Sequence, residues 1–500
     1  MNKATKLRKK LFDNSYFLKV CLIILTGLMF ACSGNIQDFI TVDREPQIVP
    51  DYSDITIPPN IAPMNFFINE IGEKYQVIIH PQNGEDLNFT STDNNIHISS
   101  GKWKKLISQS AGGDFSMEVY VENDGNWAKY KPVVNHVATD SIDSYLVYRL
   151  IDPGFEIWNK MGIYQRAIES FKEKPIMIND MSEHNCINCH SFSANNNNTM
   201  LFHMRGKLAG TIIYRNGKLT KVNTKTDRTI SAGIYPAWHP DGRLVAFSVN
   251  KIMQVFHAVP DKKVEVVDTL SDLILYDTET NIVSQCEAIA SKERFETFPA
   301  WSPDGHYLYF CSAKALPVSQ YNKIRYDLLR IGFNPETHRF GTVDTVISSS
   351  KTGLSISFPS ISPDGKYILF CMSGYGNFTI WHSDSDIYLL NTANNEITKP
   401  DINSDQSESY HSWSSNGRWI VFSSRRTDGL FTRPWFAYFG TDGKAHKPFI
   451  MPQKNPHYYE SFLKSYNKPE FITRKVDLNP RMLSKTAKTE PKTASFESND

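Results

Sequence analysis

The sequence predicts an all-β fold with one short helical stretch, and three observations predict it. Aromatic residues make up 12% of the 500 residues, and Gly and Pro number 26 each. Strand-forming side chains interleaved with turn formers favour sheets over helices. A motif ending in an Asp-Gly or Asn-Gly turn recurs through the second half, and each copy runs on into a second apolar hairpin. Lys and Arg total 54 against 53 Asp and Glu, a net charge of +1, which argues against a nucleic-acid partner and an acidic tail. Hydrophobic content of 40% with 21% charged residues belongs to a folded chain. The length suggests two or three domains.

In chain order, residues 1–19 carry Lys3, Lys6, Arg8, Lys9, Lys10 and Lys19, and an uncharged apolar run follows from Val20 to Ala31. That run is too short to span a bilayer as a helix but suits a signal-peptide core. It ends Leu28-Met29-Phe30-Ala31-Cys32. A small residue before a Cys at this place resembles a bacterial lipoprotein signal. The resemblance implies cleavage after residue 31, lipidation of Cys32 and a lipid bilayer as partner. Phe30 departs from the small residue usual at its position; the alternative is an ordinary cleaved signal with an incidental Cys. Either way the chain is expected outside the cytoplasm, on the periplasmic side or at the outer membrane.

Residues 51–150 alternate in β-like runs, among them Gln76 to His80, Phe115 to Val121 and Tyr145 to Leu150, and read as a small β-sandwich-like domain. Ile157, Met161, Tyr164, Ile168 and Phe171 recur at helical spacing after Asp152-Pro153, so residues 155–173 read as a helix.

Of seven Cys, five lie beyond the leader and its Cys32, an odd number that gives no even disulfide framework. Cys286, Cys311 and Cys371 read as small buried residues. Cys186 and Cys189 stand in Cys186-Ile187-Asn188-Cys189-His190, the C-x-x-C-H spacing of covalent c-type haem attachment. Two thiols hold the porphyrin through thioethers, and the adjacent imidazole reaches the iron. The alternatives are a redox C-x-x-C and half a zinc site. Neither a second Cys pair nor a βαβ context accompanies the motif.

The repeats read Tyr235-Pro236-Ala237-Trp238-His239-Pro240-Asp241-Gly242, Phe298-Pro299-Ala300-Trp301-Ser302-Pro303-Asp304-Gly305, Phe358-Pro359-Ser360-Ile361-Ser362-Pro363-Asp364-Gly365 and Tyr410-His411-Ser412-Trp413-Ser414-Ser415-Asn416-Gly417. Each gives strand, tight turn, strand, and then a second hairpin, for example Leu273 to Asp277. Four strands in roughly fifty residues make a propeller blade. Ser191 to Phe202 forms a degenerate copy, so the haem motif opens the first of five detectable blades. A sixth could be assembled from flanking segments.

These repeats resemble the TolB-like, WD40-like (PD40) propeller family over about residues 181–450. More narrowly, the chain is similar to exported Bacteroidetes-type propeller proteins with one haem motif. The family resemblance implies that the segment before each Asp-Gly turn is innermost in its blade, at the channel. His190 then shares its register with His411, and in a five-bladed ring their blades are neighbours. His190 is expected as proximal iron ligand, with His411, His203 and Met204 as candidate distal ligands; His184 and His239 are further rivals.

The domain reading is a signal peptide over 1–31, a tether over 32–50, the sandwich-like domain over 51–150, a helical linker over 151–180 and the propeller over 181–450. A C-terminal extension covers 451–500, disordered after about 476 because it is rich in Lys, Ser, Thr and Glu. Gly353 to Ser357 misses the G-x-S-x-G elbow and no H-E-x-x-H occurs, so the reading leans away from a hydrolase or metalloprotease. The expected function is a membrane-tethered mono-haem c-type cytochrome that exchanges electrons with an unidentified redox or envelope protein. A TolB-like envelope scaffold with structural or sensory haem is one alternative. A haem enzyme with an open iron site is another.

Overall fold

A computed structural model describes residue 36 and residues 38–152, 160–257, 259 and 263–498. The leader and Cys32 lie outside the described residues, as do Pro153 and Ile157 of the expected helix.

The recurring turns form for a local reason. Ser362 Oγ donates to Asp364 Oδ1 at 2.6 Å and accepts the Tyr367 N–H at 3.0 Å, which staples the two strands. Ser302 does the same with Asp304 and Tyr307, and Ser414 with Asn416 and Trp419. Gly305, Gly365 and Gly417 follow at φ of 74°, 72° and 67°, a region that a side chain disfavours. The repeat tryptophans join blades. Trp238, Trp301 and Trp413 donate through Nε1 to the carbonyls of Ser191, Ala237 and Ser360, each on the preceding blade's innermost strand.

The structure is a six-bladed β-propeller. The innermost strands of blades two to six are Cys186–Phe192, Ile234–Trp238, Arg294–Trp301, Ser355–Ile361 and Glu408–Trp413. Blade one joins Tyr145–Ile151, Gly162–Ala167 and Glu173–Ile178 to the late strand Ser465–Ile472, which is innermost. That strand touches the innermost strands of blades six and two and so closes the ring. The sixth blade is thus built from flanking segments, the assembly that the sequence left open.

Three sequence expectations change with it. The described part of the expected 155–173 helix is a β-hairpin. Ile163 and Met177 lie opposite each other on its two strands, both fully buried. An apolar stripe split by a turn mimics helical spacing, and ring closure selects the strands. Residues 476–500 are ordered in their described part. Asn479 caps a helix Pro480–Ala487 that buries Leu483 and Ala487. Lys492–Thr493 and Ser495–Ser498 then add as parallel outer strands to blades two and three. Free edge groups of those blades supply hydrogen bonds that tail composition does not reveal. The tether 32–50 contains two strands, Ile40–Val42 and Ile48–Val49.

The N-terminal domain is a seven-stranded sheet and a three-stranded sheet with one helix, Ser100–Gln109. Its core is continuous with Trp419, Val421, Phe436 and Phe449 of blade six. It therefore braces one flank of the ring, and Tyr145–Ile151, assigned to this domain by sequence, belongs to blade one.

Ring closure gives a test. A chain ending at Lys464 lacks an innermost strand and should lose its single cooperative thermal transition by circular dichroism, whereas one ending at Lys475 should keep it.

Candidate functional site

Every innermost strand interrupts its ladder for two residues at one level of the ring. The skipped pairs are Cys189-His190, Tyr235-Pro236, Phe298-Pro299, Phe358-Pro359, Tyr410-His411 and Lys468-Pro469. The first residue of each is left-handed, with φ from 43° at Tyr410 to 53° at Phe358, and 52° at Cys189. Proline suits the second place because it has no N–H to pair. Successive aromatic members meet around the channel: Tyr235–Phe298 at 4.6 Å, Phe298–Phe358 at 4.5 Å and Phe358–Tyr410 at 5.1 Å. Such contacts contribute about 0.5–1.5 kcal/mol each and offset the backbone strain. Phe378, from the loop after the second strand of blade five, packs on Tyr235 and Phe358. Cys189 and Lys468 complete the ring at the same register.

Cys186 stands three residues before Cys189, opposite Arg205 in the ladder. Both cysteines are free thiols, and Cys186 is 5% exposed. Burial pushes the Cys186 thiol up. His190 is 1% exposed and turned toward blade one. Lys468 of that blade donates to the His190 carbonyl at 2.6 Å, and Lys468 and Arg149 are its charged neighbours. Burial above all, then these two cations, hold the imidazole well below its usual range. Its Nε2 is buried with no hydrogen-bond partner among the described residues.

His411 does not neighbour His190. Blade one stands between their blades, and His411 Nδ1 faces Cys371 Sγ of blade five at 3.8 Å. The pairing of His190 with His411 across adjacent blades therefore falls with the five-bladed ring. His203 lies opposite Asn188, and its Nδ1 meets Thr211 Oγ1 at 3.2 Å. Met204 lies opposite Ile187 and is fully buried in the apolar cluster shared with blade one. These two side chains leave the strand on opposite faces. His184 is exposed beside Asp180. His239 is buried at the Asp-Gly turn, against Trp301, at the end of the channel away from Cys186.

Sequence reasoning missed several groups. Lys468-Pro469 copies the aromatic-Pro step, a legible signal. Arg149 and Arg205 carry no motif. Nor does a small recess lined by Glu265, Asp268, Tyr326 and Tyr375 among others. There Glu265 meets His382 Nε2 at 3.1 Å and Tyr375 Oη at 2.8 Å. Asp268 accepts from Asn250, Asn377 and Tyr326, and burial pushes its carboxyl up to about 6.

No protein-family model and no curated protein matches this chain. Among solved structures, it is similar to the crystal structure of a nidogen/laminin complex at 9% identity, covering 61% of this chain and 93% of that one, TM-score 0.38. The Cps50 (Swd1) β-propeller domain of Myceliophteria thermophila matches at 11% identity, 65% and 93% coverage, TM-score 0.29. The Dos1 propeller matches at 12% identity, 47% and 66% coverage, TM-score 0.27.

Buried imidazoles make stability pH-dependent. Burial lowers His203 to about 3 and His411 to about 4 from the usual 6.5. The unfolded chain then binds more protons below pH 6.5, so this stabilisation is complete above that pH and is lost as the pH falls toward 4. Urea midpoints should fall from pH 7 to pH 4.5, and less steeply for the His203→Gln/His411→Gln variant; parallel curves would refute the assignment.

Proposed function

We propose that this protein is a membrane-tethered, extracytoplasmic mono-haem c-type cytochrome, with Cys186 and Cys189 as attachment thiols and His190 as iron ligand. The observation that carries the reading is the donor set. Two free thiols and an imidazole with an unpartnered Nε2 lie within five residues of one innermost strand. This set fits a covalently held haem: sulfur and nitrogen donors of the right types, with both thiols unspent on a disulfide. The resemblance to exported TolB-like propellers and the lipoprotein-type leader ending at Cys32 support the location. A lipid bilayer is then one partner, through the anchor. An unidentified redox or envelope protein is the other.

Cys186 and Cys189 would hold the group through thioether bonds. When bound, the group supplies one-electron exchange. The chain's own part is to hold it. The rigid bulge fixes the Cys189 backbone. The Lys468 ammonium ties the next residue's carbonyl to blade one. Neutral His190 keeps a nitrogen lone pair for a metal, since burial disfavours its protonation.

The test is expression in a host that attaches c-type haem. The wild type should show an alkaline pyridine haemochrome with one haem per chain and a matching mass increase. Cys186→Ala/Cys189→Ala should have the mass of bare polypeptide plus any lipid. A wild type without the added mass or a Soret band overturns the reading.

A further inference from the structure

We propose that Arg149 and Arg205 form an anion site at the channel mouth that receives the two carboxylates of the covalently held haem; this rests on the haem reading above. Arg205 stands directly opposite Cys186, and Arg149 lies opposite Asn467, next to Lys468. Both side chains are partly buried. Arg149 is a charged neighbour of Cys186, His190 and Tyr410, which belong to two different blades on either side of its own. Arg205 is a charged neighbour of Cys186, His203 and Tyr235. Cys186 therefore feels positive charge from two blades, from Arg205 directly opposite it in the ladder and from Arg149 on blade one.

Neither is neutralised. Among the described residues, no carboxylate lies within ion-pair distance of either, and neither side chain has a hydrogen-bond partner. Other partly buried arginines differ: Arg294 meets Asp327 at 3.1 Å, and Arg426 meets Glu408 at 2.9 Å. Neighbouring charge adds to the excess. Lys468 spends its ammonium on a backbone carbonyl, and buried Arg425 donates to the carbonyls of Ile380 and Leu430. The nearby Glu470 accepts the Phe192 N–H at 3.0 Å and is pushed up by burial, so it offsets little.

A partly desolvated cation without a counter-charge is costly. Two at one mouth mark a place for an anion, and a guanidinium matches a carboxylate in two-point geometry. A haem whose vinyl groups have both been used by thiols keeps two carboxylates, one for each arginine.

The test compares the wild-type holoprotein with Arg149→Gln/Arg205→Gln and Arg149→Lys/Arg205→Lys. All three should carry one haem per chain. Loss of both cations leaves the carboxylates uncompensated and stabilises the ferric state. The Gln variant should therefore shift to lower reduction potential, on the order of tenfold in the ferric-to-ferrous ratio at fixed potential, about 59 mV for one electron. The Lys variant should recover most of that shift, which a packing role would not produce. Haem present in all three with one potential overturns the anion site and leaves the cytochrome reading standing. Haem absent from the wild type overturns both.

Discussion

The architecture depends on one repeated backbone event: each innermost strand abandons its ladder for two residues at the same height. A uniform ladder would place side chains alternately on the two faces of a blade and leave the channel lined by backbone. The bulge instead throws one side chain toward the axis and turns the next against the preceding blade. Six such events, in Cys189, Tyr235, Phe298, Phe358, Tyr410 and Lys468, give one ring of inward side chains. Proline at the second place of four of them removes an N–H that the ladder could not have used. The two places where histidine replaces proline are His190 and His411, and both rings are buried in seams between blades.

The proposed site grows out of that constraint. Cys189 takes a position that aromatic residues hold in four other blades. It does not stack, so the ring of rings opens there. Lys468 occupies the next position, so a cation and a thiol stand side by side where the aromatic series stops. The second strands of blades one and two bring Arg149 and Arg205 to the same mouth. On the opposite side the aromatic series is capped by Phe378. The mouth is thus apolar on one side and carries sulfur and positive charge on the other.

Much of this was legible in residues. The Asp-Gly and Asn-Gly turns, with their Ser staples, locate the four clearest blades because the turn chemistry is local. The degenerate blade of Ser191 to Phe202 was readable by register. The 155–173 stripe misled because Met161, Tyr164 and Ile168, spaced three and four residues apart, run along one strand, from just before it into the turn after it. The tail after 476 misled because its order comes from edges of blades two and three and from the burial of Leu483 and Ala487, and none of these is a property of tail composition. The helix Ser100–Gln109 passed unread within a stretch that alternated well on either side.

By itself the sequence determined the repeat, its turns and the presence of two thiols and an imidazole in attachment spacing. These are short-range matters, settled by φ preferences and residue order. Tertiary structure alone decided the number of blades, because the sixth needs a strand from the far end of the chain, and with it which histidines are neighbours. It also decided that Arg149 and Arg205 bring positive charge to Cys186 from two blades without a counter-charge. No spacing encodes that arrangement, since the two arginines share only the closure of a ring.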